Sequence, residues 1–264
     1  MRFEILGSLR MTDGENVFGI SAPKVESLLA ALLVRADDVV STDQLCHEIW
    51  GDALPRRGTA TLHVYISQLR KLLKRPGTAA TPIVTRHPGY VLRLDGHSLD
   101  SDDFQRLVRL GRSAIRDGRY AEASTHCDQA LSLWRGRALG ELRGGAIVDE
   151  FATWAEEARL ECVEMRNEAD LMLGRHRELV GPLYTLVKKH PLIEAFHRQL
   201  MLALYRSDRR ADALQAFHRV RSVLDRELGI APCRQLHQLH DQILLDSGRG
   251  EVRRPITLRA PAAA

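Results

Sequence analysis

Eight Lys or Arg residues fall between Arg56 and Arg93 (Arg56, Arg57, Arg70, Lys71, Lys74, Arg75, Arg86 and Arg93), and the same stretch contains no Asp or Glu. Cationic side chains neutralise phosphates, and on an element that fits a groove they can also bond to base edges. The chain as a whole is nearly balanced, with 38 basic and 34 acidic residues among 264. Local exclusion of acids against that background is the footprint of a nucleic-acid-binding surface. Catalysis has no comparable set: nucleophile, base and orienting group do not converge in any motif, which argues against an enzyme. The chain has no Gly-x-x-x-x-Gly-Lys-Ser/Thr phosphate cradle, and no cofactor is expected. Cys46, Cys127, Cys162 and Cys233 are scattered and read as reduced core thiols. His237 and His240, at i and i+3, read as a solvated helix face and not a metal clip.

Local signals define the elements that must position the cations. Alternation in Arg2-Phe3-Glu4-Ile5-Leu6-Gly7 and in Val17-Phe18-Gly19-Ile20, around the turn Asp13-Gly14-Glu15-Asn16, predicts two short strands. Ser21-Ala22-Pro23-Lys24 opens a helix whose apolar positions, Val25, Leu28, Leu29, Leu32, Leu33 and Ala36, share one face. Ser41-Thr42-Asp43 starts a second helix that Gly51 closes, and a third runs from about Gly58 to Arg75. Two strand-like runs, Pro82 to Arg86 and Tyr90 to Leu94, then flank the turn His87-Pro88-Gly89. Strands, three helices and a terminal hairpin make a winged helix-turn-helix over residues 1–95.

At about 100° per residue, Leu62, Ile66, Leu69 and Leu73 of the third helix fall in one narrow sector and should pack on the first two helices. Val64, Ser67 and Lys71 lie nearly opposite with Gln68 at the margin, while His63 and Arg70 occupy one flank and Thr61 the other. Short polar side chains permit close approach to a major groove, Ser and Gln can meet base edges, and Val can touch a thymine methyl. His63, Arg70, Arg56 and Arg57 suit the sugar-phosphate backbone, and Arg86 near the hairpin tip suits an adjacent minor groove.

The run Thr61-Leu62-His63-Val64-Tyr65-Ile66-Ser67-Gln68-Leu69-Arg70-Lys71, followed by Thr85-Arg86-His87-Pro88-Gly89-Tyr90, resembles the DNA-binding domain of OmpR-type response regulators. Beyond it the chain turns helical, with related starts at Gly118-Arg119-Tyr120, Gly174-Arg175-His176 and Asp208-Arg209-Arg210. The last two are 34 residues apart, the tetratricopeptide period, and an insertion separates them from the first. A long helical segment from about Ile147 to Leu173 should turn Phe151, Trp154, Leu160 and Leu171 inward. Segments such as Trp134-Arg135-Gly136, Leu173-Gly174-Arg175-His176 and Glu227-Leu228-Gly229-Ile230-Ala231-Pro232 resemble the bacterial transcriptional activation domain. The two halves together are similar to the antibiotic regulatory proteins of the SARP family, over about residues 1–246.

The expected fold class is therefore mainly α with small β elements. An N-terminal winged helix-turn-helix (1–95) precedes an all-α tetratricopeptide-like helical repeat domain (96–246), with a flexible tail or linker at 247–264. The resemblance implies a transcription activator that binds direct repeats in promoter DNA, often as a homodimer, and recruits RNA polymerase holoenzyme to secondary-metabolite genes. It also implies that His63, Val64, Ser67, Arg70, Lys71 and Arg86 read DNA; Arg56, Arg57, Thr61, Gln68 and Tyr90 complete the expected DNA-binding set. The loop from Gly51 to Arg57 would face polymerase. The rival reading is a helical-repeat adaptor with only non-specific nucleic-acid affinity. Every apolar run is interrupted well before the roughly 18 residues a membrane span needs, so no membrane partner and a cytoplasmic location are expected.

Overall fold

The computed structural model describes residues 1–74 and 81–246; Arg75 and the expected tail at 247–264 lie outside them. Strands β1 (Arg2–Glu4), β2 (Arg10–Asp13) and β3 (Asn16–Phe18) open the chain. The pair of strands expected here is thus a three-strand meander. Gly7, Ser8 and Leu9 break the first run, and β2 pairs with both neighbours, Met11 facing Phe3 and Phe18. Then come α1 (Pro23–Val34), β4 (Val40–Ser41), α2 (Thr42–Trp50), α3 (Gly58–Leu72), β5 (Ile83–Arg86) and β6 (Gly89–Leu92). The short β7 (Ser98–Leu99) runs parallel to β1 and completes a sheet of order β3-β2-β1-β7, while β4-β6-β5 form the second sheet.

Three local devices fix the helix-turn-helix. Pro23 occupies the start of α1, where a missing N–H costs nothing. At α2, Ser41 accepts a hydrogen bond from the Gln44 N–H (3.1 Å) and the Gln44 side chain accepts one from the Ser41 N–H (3.0 Å), a complete capping box. In α3 the expected inward stripe is buried: Leu62, Ile66, Leu69 and Leu73 are at most 1% exposed.

Helices α4 (Asp100–Arg116), α5 (Tyr120–Ser132) and α6 (Ala146–Met172) come next, and packing makes Met1–Leu173 one compact unit. The winged helix therefore shares its core with residues well beyond 95: Leu139, Ile147 and Val148 belong to the same apolar cluster as Leu28, Leu45 and Leu62. Two carboxylates bind the parts together. Asp100 accepts hydrogen bonds from the backbone N–H groups of Ile5 (2.8 Å) and Leu6 (3.0 Å). Glu48 of α2 accepts from the Ile147 (2.8 Å) and Val148 (3.0 Å) N–H groups at the start of α6, a helix end that favours negative charge. A Cβ at Gly145 would lie 2.1 Å from a Glu48 oxygen, so a larger residue there must displace that carboxylate from the α6 N–H groups. Contrary to the periodicity-based expectation, Trp154 on α6 is 40% exposed, whereas Leu171 is fully buried.

The second unit begins at Gly174 and contains α7 (His176–Lys189), α8 (Glu194–Arg206), α9 (Arg210–Leu228) and α10 (Arg234–Leu245). The recurrent starts seen in the sequence fall at helix junctions, where Gly118, Gly174 and Asp208 take left-handed conformations (φ 71°, 83° and 64°). Helix α8 is its buried centre, with Phe196, Leu200 and Leu204 at most 2% exposed. His237 and His240 are half-buried against Phe217, with ring centroids 5.2 and 4.0 Å away, so they form part of the packing and not a solvated face. Cys233 is exposed, unlike the other three cysteines.

Candidate nucleic-acid interface

The residues left outside when α3 buries its leucines are those the rotation placed there. His63, Val64, Ser67, Gln68 and Lys71 are exposed, Val64 at 54%. Thr61 is half-buried at the margin and its hydroxyl donates to the Arg57 carbonyl (3.1 Å), steadying the first turn of α3. Arg56 and Arg57 are exposed just before that turn. Among the described residues, no carboxylate pairs with Arg56, Arg57, Lys71 or Arg86. Elsewhere in the unit arginines are consumed by acids, as Arg35 is by Glu150 (2.9 Å) and Arg2 by Asp103 (2.8 Å).

The hairpin of β5 and β6 stands beside α3 and is held there from two sides. Arg70 donates from Nε to the Ile83 carbonyl (3.0 Å) and from Nη2 to the Thr85 hydroxyl (2.8 Å), a strut from α3 to the wing. Sequence reasoning placed Arg70 on the flank of the helix but missed this bracing role, which depends on the hairpin folding back. On the other side, the Pro88 carbonyl accepts from both the N–H (3.2 Å) and the hydroxyl (3.1 Å) of Thr42. Gly89 is obligatory, since a Cβ would sit 1.9 Å from the Val40 carbonyl oxygen. Arg86, opposite Gly89 at the end of β5, is exposed at the wing tip.

Tyr90 departs from the expected set. It is 7% exposed, lies in the core cluster and carries the Arg70 guanidinium 5.8 Å above its ring. Its position on β6 directs it under α3, so it supports the surface instead of lining it. The geometry leaves an exposed helical ridge of small polar residues and Lys71, flanked by Arg56 and Arg57 at one end and by Arg86 on a braced hairpin. An α-helix fits a major groove about 12 Å wide, and a basic hairpin tip suits the neighbouring backbone or minor groove.

The bacterial transcriptional activator domain family matches residues 99–244, and the family described as transcriptional regulatory protein, C terminal, matches residues 21–92. The chain is 36% identical over 251 residues to regulatory protein DnrI of Streptomyces peucetius, spanning 92% of each. It is 35% identical to regulatory protein AfsR of Streptomyces griseus over 99% of this chain but only 26% of that one. Among solved structures it is similar to Mycobacterium tuberculosis EmbR, determined in complex with a low affinity phosphopeptide. That match has a TM-score of 0.86 and 34% identity, and covers 92% of this chain and 64% of the other. Among the described residues no helix is long and apolar enough to cross a membrane. With an OmpR-type winged helix joined to a bacterial transcriptional activator domain, the chain belongs to the SARP family of DNA-binding transcriptional regulators, which are not enzymes.

Proposed function

We propose that this regulator activates transcription by laying the outer ridge of α3 in the major groove of promoter direct repeats, as a homodimer that recruits RNA polymerase holoenzyme to secondary-metabolite genes. The observation that carries the reading is the unpaired ridge: Ser67, Gln68 and Lys71 stand exposed opposite a fully buried leucine stripe, with no acid to neutralise the cations around them among the described residues. Val64, Ser67, Gln68 and Lys71 meet bases, while His63, Arg56 and Arg57 meet phosphates. Arg70 keeps the wing in register with α3 and Arg86 enters the adjacent groove. The loop of residues 51–57, exposed from Asp52 onward, is the surface offered to polymerase. The winged helix of residues 1–95 reads DNA and meets polymerase through that loop, while the helical domain of residues 96–246 supplies the dimer and further polymerase contacts.

The test uses the full chain, because the core runs past residue 95. Labelled promoter fragments and a scrambled duplex are titrated at two salt concentrations with wild type, Lys71→Ala and Arg86→Ala. One preferred fragment at both salts is expected, with each variant weakening it and reducing the salt slope by about one unit where a phosphate contact is lost. A helical-repeat adaptor with a merely cationic face would bind all duplexes alike, losing affinity equally as salt rises.

A further inference from the structure

Within the first unit, a cleft of about 370 Å³ opens between the C-terminal end of α1, the first turn of α4 and the first turns of α6. That volume is at the lower end of the roughly 300–1,000 Å³ typical of small-molecule sites. Its floor is apolar: Leu33, Leu99 and Ile147 are buried, and Phe151 and the exposed Trp154 stand on α6 with their rings 5.6 Å apart. DNA binding as proposed does not use Trp154, which packs on Phe151 and is 40% exposed, leaving part of its ring to receive a second ring or a cation.

The rim is acidic. Asp37, Asp102 and Glu150 line the cleft; Glu150 is paired with Arg35 and Asp37 with Arg93 (3.5 Å), which leaves Asp102 as the acid open to a ligand. Although Asp102 is exposed by area, partial desolvation, followed by the like charges of Asp103 and Asp37, holds its carboxyl above the usual range despite Arg109. The end of α1 adds the partial negative charge of a helix C-terminus. The positive N-terminal ends of α4 and α6 do not invite an anion, because Asp102 and Asp103 already occupy the first turn of α4 and Glu48 accepts from the first turn of α6.

We propose that this cleft binds a small organic cation with an aromatic body, its ring on Trp154 and its ammonium toward Asp102. Such a ligand touches α1 of the helix-turn-helix and α6 of the activator domain at once, so it tightens the joint between them.

The experiment titrates the full chain, without DNA, with three probes of one shape: 2-naphthylmethylamine, 2-naphthylmethanol and 2-naphthoate. Calorimetry and the indole N–H resonance of Trp154 are followed. The amine is expected to bind, to shift that resonance, and to exceed both the alcohol and the carboxylate in affinity. Asp102→Asn should weaken the amine up to about fivefold without changing the alcohol. Trp154→Ala, at a residue outside the buried core clusters, should weaken the amine by about tenfold, with the unfolding transition followed alongside to show that the variant stays folded. Absence of amine binding at millimolar concentration, equal binding of all three probes, or indifference to both substitutions would overturn the assignment. Because no duplex is present, failure here leaves the DNA-binding reading untouched.

Discussion

The outer ridge of α3 and the joint between the winged helix and α4–α6 both depend on charged side chains, and they use them in opposite ways. At the joint two carboxylates are buried and fully occupied: Glu48 by two N–H groups of α6, Asp100 by two N–H groups of the chain start, with Arg135 3.8 Å away. Around α3, Arg56, Arg57, Lys71 and Arg86 are exposed and, among the described residues, have no carboxylate partner, while Arg70 is taken up by the wing. A charge that has been desolvated and satisfied internally has little left to offer a partner, whereas a solvated, unpaired one keeps its full interaction for a phosphate. The joint is thus read as structure and the ridge as function, although both would look merely charged in a composition count.

The strongest way to break that division is to cut at the joint. Glu48→Ala leaves the Ile147 and Val148 N–H groups buried without acceptors, at about 1–3 kcal/mol for each. Gly145→Ala forces the same carboxylate aside and should cost a similar amount, with the double variant far from additive because both act on one contact. Urea unfolding of the four proteins checks this; additive losses would show that Glu48 does not act through the α6 N-terminus. Leu69→Ala, inside α3, should cost roughly 2–5 kcal/mol through a cavity and lose DNA binding together with the fold. Lys71→Ala, two residues away on the outer side, should leave the unfolding free energy within about 0.5 kcal/mol of wild type and lose only DNA affinity. If Lys71→Ala instead destabilised the protein, the ridge would be structural after all.

The two regions also differ in how far they could be read from the sequence. Both faces of α3 were legible because a 3.6-residue period is a local property, and Ser41 with Gln44 announced the start of α2 for the same reason. The joint was not legible: Glu48 meets its donors 99 and 100 residues later, and nothing near Glu48 in the chain marks it as buried. Arg70 and Tyr90 fall between these cases. Their types and order suggested a DNA surface, but the hairpin returns to α3 across 13 and 15 residues and converts Arg70 into a strut and Tyr90 into its support. Trp154 eluded the reading because a 27-residue helix contacting several neighbours has apolar residues on more than one face.

The smallest expected effect asks how the joint holds its charge. Burial raises the Asp100 carboxyl above its usual value near 3.8, while the N–H groups of Ile5 and Leu6 and then Arg135 pull it down. A carboxyl raised on folding binds its proton more tightly in the folded state, so its contribution is lost as pH rises from the unfolded value toward the folded one and recovered as pH falls again. Wild type should therefore gain stability relative to Asp100→Asn as pH is lowered from 7 toward 4, by at most about 1.4 kcal/mol per pH unit. The difference between the two proteins cancels most other acid-dependent groups, which makes the sign readable from paired urea titrations. A gain means that desolvation dominates and the joint favours a neutral acid, the reverse of the solvated ridge on α3. A loss would mean that the two N–H groups and Arg135 outweigh burial, and the joint would then be an anion site filled by the protein's own side chain.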